Sequence, residues 1–219
     1  MSYNRQPKIV ITGGHGGLAR AIAARFTDAE WDVLAPGREE LDVTDPAAVA
    51  SYFKNHQPTL LVGNAGLTHD APIARLTAAD WQHVINVNFH GARRCATAAL
   101  AEMIRLKIGH IIFISSHSAL HPPPGQTAYA TAKAALLGFT QNLATEAGPH
   151  GVRVNAILPG FLETPMTAKV SAARRDTVRA AHTLGRFNTP DAVASFIWHL
   201  HHHLPHTSAQ TFQLDSRTG

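Results

Sequence analysis

The chain has 219 residues, of which 45% are hydrophobic and 16% charged, and this composition excludes a disordered or fibrous protein and suits one globular domain. Its one cysteine, Cys95, excludes an intrachain disulfide, and the sequence has neither the apolar stretch of a signal peptide nor the roughly 20 apolar residues that cross a bilayer. The net charge of +4 comes from scattered basic residues, so we expect a cytoplasmic protein without a nucleic-acid or membrane partner.

Short apolar runs alternate with longer alanine-rich segments along the whole chain. The runs predicted as strands are continuously apolar, as in a parallel sheet covered on both faces. They are Lys8–Thr12, Asp32–Ala35, Thr59–Gly63, His110–Ser115, Val152–Leu158 and Gln210–Leu214. The segments predicted as helices are, approximately, Gly17–Ala29, Pro46–His56, Asp80–Lys107, Ala128–Ala147 and Pro190–His203. This alternation predicts an α/β fold with one doubly wound parallel sheet, in a single domain over residues 1–219.

A glycine-rich turn follows the first predicted strand and leads into the first predicted helix. The residues of the turn are Gly13, Gly14, His15, Gly16, Gly17 and Leu18. Glycine permits positive φ and lets the backbone approach a pyrophosphate, whose charge the free N–H groups of a helix start can hold. A tight structural turn is the alternative, but the position between a first strand and a helix favours a dinucleotide site.

A tyrosine and a lysine lie four residues apart at Tyr129 and Lys133, so on a helix they share a face. A fixed positive charge lowers the pKa of a phenol, and a shift from about 10 to about 7 takes roughly 4 kcal/mol. A lysine and the positive ring of a nicotinamide could supply this together. Ser116, at the end of the fourth predicted strand, could hydrogen-bond a substrate oxygen, with Ser115 as its rival.

These motifs resemble those of the short-chain dehydrogenase/reductase family, and the overall pattern looks closest to its 3-oxoacyl-carrier-protein reductase-like members. The family carries the turn T-G-x-x-x-G-x-G, which Thr12–Ala19 matches except that Ala19 replaces the last glycine. It also carries the same serine, 12 intervening residues and Tyr-x-x-x-Lys. The resemblance covers roughly residues 8–215 and implies a Rossmann-like fold.

The resemblance implies a role for each matching residue. Tyr129 would be the general acid/base, and Ser116 would position and polarise the carbonyl. Lys133 would lower the pKa of the tyrosine and hold the ribose hydroxyls, and Asn88, with Asn86 as its rival, would continue a proton relay through water. The residues that would bind the cofactor are Gly13, His15, Gly16, Gly17, Leu18, Arg38, Asp42, Val43, Asn64, Ala65, Gly66, Tyr129, Lys133, Pro159, Gly160, Leu162 and Thr164.

The implied reaction is hydride transfer between a nicotinamide cofactor and a small-molecule carbonyl or alcohol substrate. An acid at the end of the second strand binds the ribose 2′-hydroxyl of NAD, whereas an arginine accommodates the 2′-phosphate of NADP. Gly37 stands where NAD-preferring relatives carry aspartate, and Arg38 follows it, which favours NADP(H) over NAD(H). Pairing of Arg38 with Glu39 or Glu40 is the alternative.

The sequence departs from the family in two segments, and a third segment interrupts the alternation of strands and helices. Three residues separate Gly37 from Leu41, too few for a crossover helix, so a missing helix and a stub of a third strand at Leu41–Val43 are predicted. The polar segment Phe161–Arg186 lacks a clean period and is interpreted as a mobile lid over the substrate. The tail Asp215–Arg217 replaces the family's D-G-G, which puts tail packing in doubt.

Two other functions compete with an oxidoreductase. A non-catalytic dinucleotide-binding sensor on the same fold has no need of a tuned phenol, so the serine, tyrosine and lysine argue against it. A metal-dependent hydrolase could use His199, His202 and His203, which share a helix face, but no carboxylate or cysteine completes a ligand set and no metal site is predicted. Many members of the resembling family form dimers or tetramers through two long helices, so a homodimer or homotetramer is expected.

Overall fold

The computed structural model describes residues 6–29 and 31–217. Six parallel strands form one sheet. The strands are β1 (Lys8–Ile11), β2 (Asp32–Leu34), β3 (Leu60–Gly63), β4 (Gly109–Ile114), β5 (Val152–Leu158) and β6 (Thr211–Gln213). Their order across the sheet is β2-β1-β3-β4-β5-β6. The chain order reverses beside β1, and ligands of such sheets bind at the carboxyl ends of the strands at that reversal.

Helices cover both faces of the sheet. They are α1 (Gly17–Thr27), α2 (Pro46–Asn55), α3 (Ala78–Ile85), α4 (Ala92–Leu106), α5 (Thr127–Ala147), α6 (Ala172–Ala180) and α7 (Pro190–His203). Strand side chains alternate between the faces: Ile9 and Ile11 pack against α1 and α7, whereas Val10 packs in the core that α2, α4 and α5 share. The predicted doubly wound α/β fold is confirmed. No helix among the described residues has both the length and the apolar character needed to cross a membrane.

Local sequence signals explain where several helices begin. Asp45 caps α2, because its carboxylate accepts hydrogen bonds from the N–H groups of Ala47 and Ala48 at 2.8 and 3.3 Å, and Pro46 supplies a first residue whose φ is already helical. Thr189 caps α7 in the same way, with Pro190 following it. The caps therefore fix where α2 and α7 begin, after loops that contain predicted cofactor-binding residues.

The stub strand predicted at Leu41–Val43 is wrong, whereas the predicted loss of a helix after β2 is observed. The N–H groups of Glu40 and Leu41 donate to the Gly37 carbonyl at 3.3 and 2.9 Å, so the chain folds into a turn that no sheet ladder can include. Leu41 and Val43 still bury their side chains, at 4% and 6% exposure, in the core beneath α2. The sheet therefore ends at β2.

Two longer segments also differ from their predictions. The helix predicted over Asp80–Lys107 is split into α3 and α4 by a π-helical segment, Asn86–Gly91. The irregular segment predicted over Phe161–Arg186 contains a 3-10 turn, Pro165–Thr167, and the helix α6. Its role as a lid stays a prediction.

Candidate active site

Ser116 lies two residues after the end of β4, at the carboxyl edge of the sheet. Its Oγ accepts a hydrogen bond from the Ser118 N–H at 3.1 Å, and its hydroxyl acts on the Tyr129 phenol, whose pKa it lowers. The rival Ser115 is buried and donates through its Oγ to the Lys133 carbonyl at 2.8 Å. The hydroxyl of Ser115 is therefore engaged by the backbone of α5, and Ser116 is the serine that meets the phenol.

Tyr129 and Lys133 lie one turn apart near the start of α5. Lys133 is 3% exposed, and its Nζ donates to the Ile114 carbonyl at 2.8 Å. The same Nζ lies 5.7 Å from the centre of the Tyr129 ring. The last carbonyl of β4 thus holds the ammonium beside the phenol on one face of α5.

The electrostatics of this pair differ from the expectation. Burial raises the pKa of the Tyr129 phenol, the hydrogen bond from Ser116 lowers that pKa, and the carboxylate of Asp70 raises it. Among the groups that act on the phenol, Ser116 is the one that lowers its pKa, and the lowering expected from Lys133 together with the nicotinamide stays a prediction. Burial also lowers the pKa of Lys133 to about 8.

The π-helical segment positions Asn88 inside the protein. The Asn88 side chain is fully buried, and its Nδ2 donates to the carbonyls of Leu67 and Val84, both at 2.9 Å. Its Oδ1 accepts from the Leu67 N–H at 3.3 Å. Asn86, the rival, is only partly buried at the start of the segment. One π turn therefore directs Asn88 to the loop after β3, and such turns are frequent at functional sites.

Gly66 lets Asn88 and Lys133 approach the same point. A β-carbon on Gly66 would lie 2.7 Å from the Asn88 Oδ1 and 3.5 Å from the Lys133 Nζ. The first distance is shorter than any real β-carbon contact, so a larger residue would push the asparagine away. The predicted residues Ser116, Tyr129, Lys133, Asn88 and Gly66 are thus brought together by β3, β4, the π segment and α5.

The glycine-rich turn is pressed between the ends of β2 and β3. Gly13 has φ +71°, and a β-carbon there would lie 2.9 Å from the Ala65 Cα, while one on Gly14 would lie 1.8 Å from the Ala35 carbonyl oxygen. The Asn64 Nδ2 donates to the Thr12 carbonyl at 3.0 Å. These contacts fix the path of the backbone from β1 into α1.

The start of α1 has the features that a pyrophosphate requires. Gly16 is the N-cap residue and supplies no side-chain cap to the first turn, which begins at Gly17. A β-carbon on Gly17 would lie 3.1 Å from the Thr164 Cγ2, so Thr164 stands across the turn. Backbone N–H groups at a helix start that no side chain caps suit an anion, and the turn therefore fits the nicotinamide dinucleotide that the motifs imply.

Arg38 and His15 lie at the exposed end of this crevice. The Arg38 side chain is 75% exposed, and its Nε donates to the Asp42 Oδ2 at 3.3 Å. The expected alternative partners are engaged elsewhere: the Glu40 carboxylate accepts from the Gly37 N–H at 2.9 Å, and the Glu39 carboxylate lies 3.9 Å from the His15 Nδ1. Arg38 is therefore an exposed cation held at one side by Asp42.

The loop after β5 brings the remaining predicted cofactor residues to the same edge. The Asn188 Nδ2 donates to the Pro159 carbonyl at 2.9 Å, which holds the start of the loop. The Thr167 Oγ1 donates to the carbonyl of Leu162 at 2.6 Å and accepts from the N–H of Thr164 at 3.0 Å. Leu162 is buried, so this loop is anchored rather than free.

The altered tail contacts the site, which sequence reasoning missed. Gly160 has φ +83°, and a β-carbon there would lie 2.7 Å from the Asp215 Cβ. The Arg217 Nε donates to the Asp215 carboxylate at 2.8 Å, forming a largely buried ion pair. Burial and, after it, the Arg217 guanidinium lower the pKa of His117, beside Ser116, to about 4. The replacement of D-G-G was the only sequence signal for this arrangement.

The histidines of α7 were considered as metal ligands. His199 and His203 are exposed, with ring centres 4.9 Å apart, and the His202 Nδ1 is hydrogen-bonded to the Trp198 carbonyl at 2.9 Å. Within residues 6–29 and 31–217, no group of three or more histidine, cysteine, aspartate or glutamate side chains is placed to hold a metal ion.

Comparison with protein families and with known proteins gives consistent matches. The model of the short chain dehydrogenase family matches residues 40–175. The chain is 34% identical over 214 residues to 3-oxoacyl-[acyl-carrier-protein] reductase FabG of Thermotoga maritima, a match that covers 86% of this chain and 87% of that protein. It is 38% identical over 212 residues to FabG of Chlamydia trachomatis, covering 84% of this chain and 86% of that protein.

Solved structures agree with these matches. An oxidoreductase of the short chain dehydrogenase/reductase family from Burkholderia thailandensis superposes with a TM-score of 0.90 at 27% identity, over 97% of this chain and 92% of that one. A putative NAD(P) dependent gluconate 5-dehydrogenase from Beutenbergia cavernae, with bound NADP at low occupancy, gives a TM-score of 0.91 at 26% identity, over 96% and 95% of the two chains.

Proposed function

Because this chain belongs to the short-chain dehydrogenase/reductase family, whose members are nicotinamide-dependent oxidoreductases, we propose that it reduces a carbonyl substrate with NADPH and that Tyr129 supplies the proton. The observation that carries the proposal is the convergence of Ser116, Tyr129 and Lys133 at the carboxyl edge of the sheet, beside the glycine-rich turn. The names of the FabG relatives favour a 3-oxoacyl thioester as the substrate class.

The protein's part in the reaction is to bind the reactants and to move a proton. When bound, the nicotinamide supplies or accepts the hydride. The N–H groups of the first turn of α1 would hold the pyrophosphate, since those of Gly14 and Gly16 donate to the carbonyls of Pro36 and Gly13. Lys133 would hold the ribose hydroxyls. Ser116 would hydrogen-bond the carbonyl oxygen, which increases the positive character of its carbon.

Tyr129 carries a proton at neutral pH that it can pass to the substrate. Burial raises the pKa of its phenol, so the phenol is protonated before the reaction, and Ser116 and the Lys133 ammonium lie beside it. As hydride reaches the carbon, the developing alkoxide takes the phenolic proton. Asn88 would return a proton through water. Its amide nitrogen is already bonded twice, so the acceptor for that water would be its Oδ1, next to Gly66.

Arg38 is proposed to select NADPH over NADH. Arg38→Gln is expected to raise the Kd for NADPH about 10- to 100-fold, because a hydrogen bond to a charged group contributes about 1.5–3 kcal/mol. The Kd for NADH should stay within about two-fold. Both constants are measurable by nicotinamide fluorescence, with Arg20→Gln on the exposed face of α1 as the control. Equal losses for both cofactors would show that Arg38 serves only its ion pair with Asp42.

The reaction itself is tested by following NADPH and NADH absorbance at 340 nm with a panel of ketones, aldehydes and 3-oxoacyl thioesters. We expect oxidation of NADPH with at least one member, with the 3-oxoacyl thioesters fastest. Saturable binding of dinucleotide without turnover of any member would favour the sensor instead.

We also propose that the whole chain acts as one catalytic domain and that it forms a homodimer or homotetramer through α4 and α5.

A further inference from the structure

A second cavity opens at the amino ends of the strands, on the opposite edge of the sheet from the candidate active site. Its volume is about 780 Å³, which is in the range that holds a small organic ligand. Residues at or next to the starts of β1, β3, β4 and β5 line it, together with the ends of α4, α5 and α7. No residue proposed above for catalysis or cofactor binding contributes to this wall.

The wall of this cavity combines apolar surface with positive charge. Leu106, Ile108 and Val152 contribute hydrocarbon, and Lys8 and Arg153 contribute cations. Among the described residues that line it, none is an aspartate or a glutamate. Lys8 shares its charge with Asp32 at 3.1 Å, and this carboxylate lies outside the lining.

Arg153 is held in place by the end of α7. Its Nη1 donates to the carbonyls of Leu200 and Leu204 at 3.1 and 2.9 Å, and its Nη2 donates to the carbonyl of His201 at 2.8 Å. These carbonyls carry only the partial negative charge of a helix end, so the guanidinium keeps a net positive charge at the cavity wall. The helix end thus fixes a cation rather than neutralising it with an acid.

A chain of buried hydrogen bonds fixes the proton positions on two histidines. The Asn155 Oδ1 accepts from the Gln210 N–H at 3.1 Å and its Nδ2 donates to the Thr207 carbonyl at 3.0 Å, which sets the orientation of the amide. The same Nδ2 lies 3.0 Å from the His110 Nε2, which must therefore accept. The proton of His110 is then on Nδ1, and it is donated to the His201 Nδ1 at 3.3 Å.

His201 must in consequence carry its own proton on Nε2. Burial lowers the pKa of His110 well below its ordinary value and that of His201 to about 3, so both rings stay neutral and each has one N–H. His201 lines the cavity, and its Nε2–H is the last donor of the chain. A donor in a wall that also carries two cations, with no acid among the described lining residues, suits the oxygen atoms of an anion.

We propose that this cavity binds an amphiphilic carboxylate of medium chain length. Its carboxylate would accept from the Nε2–H of His201 and lie near Lys8 and Arg153. Its hydrocarbon would cover the apolar wall at Leu106 and Ile108. The assignment does not depend on the reaction proposed for the opposite edge of the sheet.

The test is a calorimetric titration of the full chain, without cofactor, with octanoate and with 1-octanol, which has the same hydrocarbon and no charge. We expect saturable binding of octanoate and at least ten-fold weaker binding of 1-octanol. Lys8→Gln should weaken octanoate binding at least five-fold. His199→Gln, on the exposed side of the same helix as His201, should leave it unchanged, as should Tyr129→Phe.

Three results would overturn the assignment. Equal affinity for 1-octanol would show an apolar groove only, and a titration without saturation would show no site. Displacement of octanoate by NADPH would place it in the dinucleotide crevice. Since His201→Phe would leave the buried Nδ1–H of His110 without an acceptor and could unfold the chain, the histidine is checked by ¹⁵N spectra of the intact protein, where protonation of His201 on Nδ1 would refute the proposed donor.

Discussion

Tyr129→Phe is expected to lower kcat for carbonyl reduction by about 10²- to 10⁴-fold, the usual contribution of a general acid. The variant keeps the ring, its packing on α5 and its position 5.7 Å from the Lys133 ammonium, and loses only the proton donor. The Kd for NADPH should therefore change less than about two-fold. Steady-state kinetics and a fluorescence titration of NADPH give both numbers.

The matched control for this variant is Tyr52→Phe, since Tyr52 is a half-buried tyrosine on α2. It should leave kcat unchanged. Turnover of Tyr129→Phe within ten-fold of the unmodified protein would mean that another group donates the proton. An equal loss of NADPH affinity would mean that the phenol serves binding instead of chemistry.

The pH dependence of reduction should report on Lys133. Burial lowers the pKa of this lysine to about 8 and raises that of Tyr129, so the ammonium is the first of the two to lose its proton as pH rises. We expect kcat/KM for reduction, which reflects the free enzyme, to fall above about pH 8 while the phenol is still protonated. A profile that is flat to pH 10 would contradict this order.

Gly13→Ala is expected to abolish cofactor binding and to lower the free energy of unfolding by at least about 1–3 kcal/mol, as overpacking does. The new methyl would lie 2.9 Å from the Ala65 Cα, and the φ of +71° adds strain that only glycine avoids. Relief would require the turn to move away from the end of β3, where the dinucleotide would lie. Urea denaturation and NADPH fluorescence measure the two losses.

The control for this change is Gly138→Ala on the exposed face of α5. Nothing lies within 4 Å of a β-carbon built there, so the substitution should raise the free energy of unfolding by about 0.5–1 kcal/mol, as for a glycine in a helix interior. The proteins are compared at a concentration where their sedimentation coefficients agree. If Gly13→Ala left the stability and the NADPH affinity unchanged, the turn would have room for a β-carbon at this position.

The sheet could be predicted from sequence because its strands are short apolar runs bounded by glycine, proline or polar residues. The strand β5 and the helix α7 match their predicted bounds, and the fully buried β4 starts one residue early. The stub at Leu41–Val43 failed for a local reason: a hydrogen-bonded turn on the Gly37 carbonyl uses the backbone that a ladder would need. Apolar pattern alone cannot reveal that competition.

The residues of the candidate site could be predicted from the sequence, but their pKa values could not. Spacing placed Tyr129 and Lys133 on one helix face, but the desolvation that dominates both pKa values depends on packing from β4 and α5. The π turn at Asn88 was not predictable from the sequence, because one extra residue in a turn leaves the segment helical. The second cavity is lined by residues that lie far apart in the chain, such as Lys8 and Arg153. No local sequence motif could therefore predict it.

The loss of the segment after β2 leaves that strand at the border of the sheet. Unpaired N–H and C=O groups along such a border invite strands of other molecules and start aggregation. Here β2 has only three residues, the first of which is the charged Asp32. A strand from another molecule could therefore form only a few backbone hydrogen bonds with it. We therefore expect the short, charged β2 to resist pairing with strands of other molecules although the segment after it is missing.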